Sequence, residues 1–218
     1  MDSTGKIWRC AVLANWGLGL ELLRSLQVRD DVELLFVVTT WDEGNADPWR
    51  NAVRHYALHN GIVCHHELEL SFEQLRTLLL NHGADLLCIH AGRRILPPAV
   101  FLAPRRGSIN FHPSLLPRHR GVAPSYWVLR QGDRETGITS HMVDAGIDTG
   151  PLIAQQAVPV CPEDTLDTLI ERLKLVMPAL VESTFEKLAL PGFMPQPQDE
   201  GQASYDPRPP RDEMRSFT

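Results

Sequence analysis

The chain has 218 residues, 43% hydrophobic and 22% charged, with a formal net charge of −6, so it is long enough for one full core and has the composition of a soluble protein. The acidic balance speaks against a general nucleic-acid binder, and no nucleic-acid partner is expected. Apolar runs are broken by Arg, Asp or Glu well short of a bilayer span, and residues 1–10 carry no apolar stretch of signal-peptide type; no membrane partner and a cytoplasmic location are expected.

The first 115 residues alternate strand-like and helix-like signals. Trp8–Ala14 is a short apolar run ending at Asn15-Trp16-Gly17-Leu18-Gly19, and leucines at 18, 20, 22, 23 and 26 form a helical stripe. Val32–Thr39 is β-branched and apolar, a buried strand, followed by a polar loop over Thr40–Asp47 and by Pro48, suited to the first position of a helix. Ile62–His65 reads as a third strand. Ser71-Phe72-Glu73-Gln74 is a capping box for a helix running to Asn81-His82-Gly83. Leu86–His90 and Ser108–His112 complete five strands, and their alternation with helices predicts right-handed crossovers and a parallel sheet covered on both faces.

Beyond residue 113 the rhythm changes. Pro124-Ser125 opens a short helix through Arg130, and Gly137–Val143 and Leu152–Val160 read as strands joined by Asp144–Pro151, an antiparallel extension of the sheet. Asp164-Thr165 caps a long apolar-striped helix that Pro178 should kink or break. Pro191, Pro195, Pro197, Pro207, Pro209 and Pro210 leave 191–218 as an extended tail, after a catalytic domain over 1–190. Cys10, Cys64, Cys88 and Cys161 lack C-x-x-C spacing, and three of them sit in apolar runs, as reduced core thiols do.

The chemistry concentrates in 108–153. Asn110 and His112 share one face of a strand, because alternate strand residues point the same way. Pro113-Ser114 and Leu116-Pro117 break the strand, and Asp148 stands between Ile147 and Thr149-Gly150-Pro151. A carboxamide can donate to an oxyanion, an imidazole can move a proton, and a carboxylate can orient and charge that imidazole, a set suited to attack on a carbonyl.

This block resembles the folate-dependent formyltransferases, a family that includes glycinamide ribonucleotide transformylases, the catalytic domain of methionyl-tRNA formyltransferases and sugar N-formyltransferases. The resemblance is carried by His-Pro-Ser-Leu-Leu-Pro at 112–117, Arg-Gly at 120–121 and Gly-Ile-Asp-Thr-Gly-Pro at 146–151. It implies a mostly parallel Rossmann-like α/β sheet with helices on both faces and an antiparallel extension. It also implies Asn110, His112 and Asp148 as catalytic residues, with 10-formyltetrahydrofolate as formyl donor. The folate would be read by loops 91–97 and 143–148, with Arg94, Ile95, Leu96, Val143, Asp144 and Ile147 as its contacts. The family turns sharply at Leu116-Pro117, so a cis peptide is expected there.

Other motifs carry less. Gly17-Leu18-Gly19 is an incomplete dinucleotide fingerprint, because Leu22 holds the third glycine's place; the glycines are read as permitting a tight strand-to-helix turn beside the acceptor site. That turn lacks the small polar phosphate cradle of glycinamide ribonucleotide transformylases, which counts against a purine role. His55, His59, His65 and His66 have zinc-like spacing without a completing set, and no metal is expected. Arg93, Arg94, Arg105, Arg106, Arg118 and Arg120 read either as attraction for anionic substrates or as solvated surface. Residues 203–212 resemble a segment following the catalytic domain in the sugar and methionyl-tRNA enzymes. The end of the chain at Thr218, without the tRNA enzyme's RNA-binding domain, makes initiator tRNA an unexpected acceptor.

The expected function is formyl transfer to a primary amine of a small metabolite, a nucleotide-linked amino sugar first. An N-hydroxyornithine-type or other natural-product amine is second, a formyltetrahydrofolate hydrolase third, and a non-catalytic folate-binding module is the rival from another class. The oligomeric state is open.

Overall fold

The computed structural model describes residues 7–45 and 49–210. The chain divides into two compact units, Met1–Asn110 and Phe111–Thr218. The first holds strands β1 (Trp8–Ala14), β2 (Val32–Thr39), β3 (Cys64–His66), β4 (Leu86–His90) and the start of β5 (Ser108–His112). All of these pair in parallel. β1 is central, with Val12 between Val37 on β2 and Cys88 on β4, which is why its sequence is apolar on both faces. Helices α1 (Trp16–Gln27), α2 (Ala52–His59), α3 (Phe72–Asn81) and α4 (Pro98–Phe101) connect the strands. α1 buries Leu18, Leu20, Leu22, Leu23 and Leu26, the expected stripe, and begins two residues before it. α3 starts with the expected capping box, Ser71 Oγ accepting from Gln74 N and Gln74 Oε1 from Ser71 N. The helix start expected at Pro48 lies outside the described residues.

The second unit holds β6 (Arg120–Gly121), α5 (Pro124–Gln131), β7 (Glu135–Met142), β8 (Leu152–Pro159), α6 (Leu166–Ala189) and β9 (Tyr205–Asp206). β7 and β8 are antiparallel as expected, and strand order is β3-β2-β1-β4-β5-β7-β8. The fold is therefore the mostly parallel α/β sheet with an antiparallel extension that the sequence implied.

Four expectations change. The third strand is Cys64–His66, displaced toward the end of its apolar run. α6 does not break at Pro178. A helical proline costs about 3 kcal/mol. Leu169, Leu173, Met177, Leu180, Val181 and Phe185 are buried on this helix, each worth about 1.5–3 kcal/mol, so packing wins. At the end of β1 the left-handed backbone falls on Trp16, φ 60°, and on neither glycine. Gly19 is needed for size, since a Cβ there would lie 3.1 Å from that of Ala14. Finally, the extended tail carries a paired strand. β9 pairs in parallel with β6, and the Trp127 indole N–H donates to the Pro207 carbonyl at 2.9 Å. No helix among the described residues is long and apolar enough to cross a membrane.

Candidate active site

β5 places Asn110, half-buried, and His112, 4% exposed, one residue apart on the same strand face. Past His112 the chain turns at once, with Ser114 N donating to the His112 carbonyl and the Leu116-Pro117 peptide cis as expected. His112 Nε2 is 2.8 Å from the His119 carbonyl oxygen. A carbonyl only accepts, so Nε2 carries the hydrogen and Nδ1 is the basic position. Nδ1 faces Asp148 Oδ2 at 3.5 Å.

The loop between β7 and β8 delivers that carboxylate. Asp144 Oδ1 accepts from Gly146 N at 3.1 Å and from Thr149 Oγ1 at 2.6 Å, an Asx-type turn that fixes the loop. A Cβ on Gly150 would stand 1.8 Å from the Met142 carbonyl oxygen, so only glycine lets the loop close there. Asp148 itself holds φ 54°, a left-handed conformation that costs a non-glycine residue roughly 1 kcal/mol or more. Its Oδ2 accepts from Gly121 N at 2.9 Å, and its Oδ1 lies 3.5 Å from His141 Nε2.

His141 is the residue that sequence reasoning missed. Its Nδ1 is 2.8 Å from the Met142 carbonyl and donates to it, which leaves Nε2 as the basic nitrogen toward Asp148. Two imidazoles thus have their hydrogens directed at backbone carbonyls and their basic nitrogens at one carboxylate. The available signal was a histidine inside a predicted buried strand, seven positions before Asp148.

Burial alone would raise the Asp148 carboxyl. The charge of His112, the bond and charge that His141 supplies when its Nε2 carries a proton, and the Gly121 N–H outweigh it and hold the group well below the ordinary carboxylate range. Burial pushes His112 below the usual imidazole value, against the pull of Asp148 and the His119 carbonyl. The two directions are compatible. The pull on Asp148 is that of the protonated His112 ring, whereas near neutrality burial leaves His112 the neutral, basic partner.

The residues expected to read the folate lie in their loops as follows. Arg94 is half-buried, its guanidinium donating to the Glu67 carbonyl at 2.5 Å and resting 4.6 Å from the Phe72 ring centre. Ile95 is 76% exposed and Ile147 51%, while Leu96, Val143 and Asp144 are half-buried. The arginine cluster is largely engaged: Arg105 with Asp85, Arg106 over Trp8, Arg118 with Asp133, Arg93 over Trp16. Arg120 is fully buried, so the reading of it as surface charge is wrong. His65 and His66 pack edge-on against Phe36 and Trp41.

The mostly parallel sheet with an antiparallel extension is the fold of solved formyltransferases. Glycinamide ribonucleotide transformylase 1 from Symbiobacterium toebii superposes with a TM-score of 0.72 at 26% identity, covering 90% of this chain and 96% of that one. A sugar 3N-formyl transferase, WlaRD, solved in the presence of dTDP and 5-N-formyl-THF, shares the fold at TM-score 0.68 and 18% identity, over 92% of this chain and 69% of that one. Residues 31–183 match the family model described as formyl transferase, and the chain belongs to that family. Among curated relatives, the methionyl-tRNA formyltransferase of Trichlorobacter lovleyi is 35% identical over 159 residues, 71% of this chain and 49% of the relative. The chain spans about half the length of the curated relatives it matches.

These relatives overturn one expectation. The exclusion of a nucleic-acid partner does not stand, because several relatives at 35–38% identity are methionyl-tRNA formyltransferases, whose name carries an RNA-linked acceptor. The physical reason is that net charge averages a whole chain. A site that reads only the aminoacyl end of an RNA needs no general basic surface, and the position of the last residue says nothing about partners.

Proposed function

We propose that this chain transfers the formyl group of 10-formyltetrahydrofolate to a primary amine, with residues 1–190 as the catalytic domain. The observation that carries the reading is the His112–Asp148 pair beside Asn110. The folate supplies an activated formyl carbon on a nitrogen leaving group. Asn110 donates to the oxygen on which negative charge develops, a contribution typically worth ~10²–10³ in rate. His112 holds a proton at Nδ1 on its way from the attacking amine to the folate nitrogen, which leaves protonated as its bond to the formyl carbon breaks, and Asp148 favours that charged imidazole. His141 offers a second basic nitrogen to the same carboxylate. Ile147, exposed in the loop that carries Asp148, fits an apolar wall for a flat heterocycle, and the backbone of that loop fits its alternating donors and acceptors.

Two acceptor readings follow. The curated relatives favour the α-amino group of methionine carried on tRNA. A nucleotide-linked amino sugar is favoured by Trp16, 36% exposed with the Arg93 guanidinium 5.7 Å from its ring centre, a surface suited to a base and its phosphates. The test incubates the protein with 10-formyltetrahydrofolate and either methionyl-tRNA or a dTDP-amino sugar, following tetrahydrofolate release and the formylated amine by mass spectrometry. Formate release without an amine would make the chain a hydrolase. Folate binding without turnover on any amine would make it a binding module.

A further inference from the structure

Residues 198–206 bond to the two backbone elements that hold the site's acid and base. Ser204 N donates to the Pro117 carbonyl, Arg120 N to the Ser204 carbonyl, and His119 N to Ser204 Oγ at 2.8 Å. His119 has φ 59°, and its ring, 2% exposed, stands between Asp206 Oδ2 at 2.6 Å and Asp133 Oδ2 at 2.9 Å. This residue supplies the carbonyl that fixes the His112 ring.

The second set of contacts reaches Asp148. Arg120 is a fully buried cation, and such a charge persists only with dedicated partners. It finds both Glu200 oxygens at 2.7 and 2.9 Å, the Tyr205 hydroxyl at 2.6 Å, and Gln198 Oε1 at 2.8 and 3.0 Å. The other end of the same amide, Gln198 Nε2, donates to the Asp148 carbonyl at 2.8 Å and the Gly150 carbonyl at 2.7 Å. All the hydrogen-bonding capacity of this amide is used, and its orientation is forced, with a guanidinium on the oxygen side and two carbonyls on the nitrogen side.

We infer that Gln198–Asp206 is a brace that sets the positions of His112 and Asp148, with Gln198 and His119 as its positioning residues. Neither touches a substrate in this scheme. His119 acts through its carbonyl on the His112 ring, and Gln198 acts through the backbone on the left-handed Asp148. The consequence for turnover rests on the proposed formyl transfer; the consequence for the His112 ring does not.

The discriminating variant is Gln198→Glu, which keeps the size and the acceptor toward Arg120 but turns a carboxylate oxygen toward two carbonyls. Two readouts are taken on the full chain. The first is the kcat and KM of formyl transfer, with kcat expected to fall about 10–100-fold while the folate KM moves less than about threefold. The second is the nitrogen NMR spectrum of the His112 imidazole, around which Asp148, His141 and His119 are the titrating neighbours. A mixed tautomer and a displaced titration are expected in place of the single Nε2–H form. Wild-type kcat with an unchanged His112 spectrum would overturn the brace. If the wild type forms no formylated amine, the functional reading falls and the spectrum alone decides the brace. Should Q198E fail to fold, Ser204→Ala removes the acceptor of His119 N and is read the same way, unchanged tautomer and unchanged kcat again overturning the inference.

Discussion

Each unit contains a buried polar cluster around a strand end, and these two clusters are built to opposite specifications. In the first unit Asn15, 1% exposed, uses every capacity of its amide. Oδ1 accepts from Thr40 N, Thr40 Oγ1 and Thr39 Oγ1 at 2.8, 2.7 and 3.2 Å, and Nδ2 donates to the buried Glu67 and to the Ala91 carbonyl at 3.1 and 3.0 Å. In the second unit His112 and His141 stand 3.5 Å from Asp148 with basic nitrogens facing it, beyond a short hydrogen bond. The saturated cluster has nothing left to exchange and holds strand ends together. The looser one has room to contract around a proton, as the proposed relay requires.

The largest effect expected from breaking the second cluster is Asp148→Asn. The amide keeps the shape but cannot stabilise charged imidazole, so turnover should fall at least ~10²-fold with folate affinity little changed. Wild-type turnover would remove Asp148 from the mechanism. Breaking the first cluster should act on stability instead. Asn15→Leu strands the Thr40 N–H and the Glu67 carboxylate, and chemical denaturation should register a loss of about 2 kcal/mol or more. The pH profile of the remaining turnover should keep its wild-type shape, and a shifted profile would mean that the clusters are not distinct in role.

Acid sharpens the same contrast. His112 is held below its unfolded value, so the unfolded chain binds the proton first. Stability should fall as pH drops through the ordinary imidazole range, near 6.5. Asp148, held low, adds stability that is fully present above the ordinary carboxylate value and is lost only under stronger acid. Turnover should fall over the imidazole range as well, the midpoint belonging to the coupled set. A stability curve flat across that range would contradict the His112 direction. The smallest effect concerns neither cluster: Thr165→Ala removes the oxygen that accepts from Thr168 N at the start of α6 and should cost about 1 kcal/mol by denaturant midpoint, with kcat unmoved.

Much of this was legible in the chain. Asn110 and His112 could be read because a strand's alternation places them together without any tertiary information, and Asp148 because its loop is marked by glycines on both sides. The capping box at Ser71 and the antiparallel pair of β7 and β8 were equally local. The brace was not legible. Its contacts join residues 48 to 87 apart, run largely through carbonyl groups that no side-chain pattern announces, and lie in a proline-rich stretch whose composition predicts extension. Arg120 looked like one of six surface arginines because burial of a cation depends on partners supplied from that same stretch. The left-handed Trp16 escaped for a similar reason, since neighbouring glycines were the natural place to put such a backbone.

The indole of Trp127 gives the brace an optical signature. Of the five tryptophans, Trp127 bonds through its ring N–H to the carbonyl of Pro207, next to the residue that holds His119. Emission from an indole shifts to longer wavelength when water replaces a protein acceptor. Fluorescence of a variant that keeps only Trp127 would therefore follow seating and release of the 198–207 segment in real time, before any substrate is known.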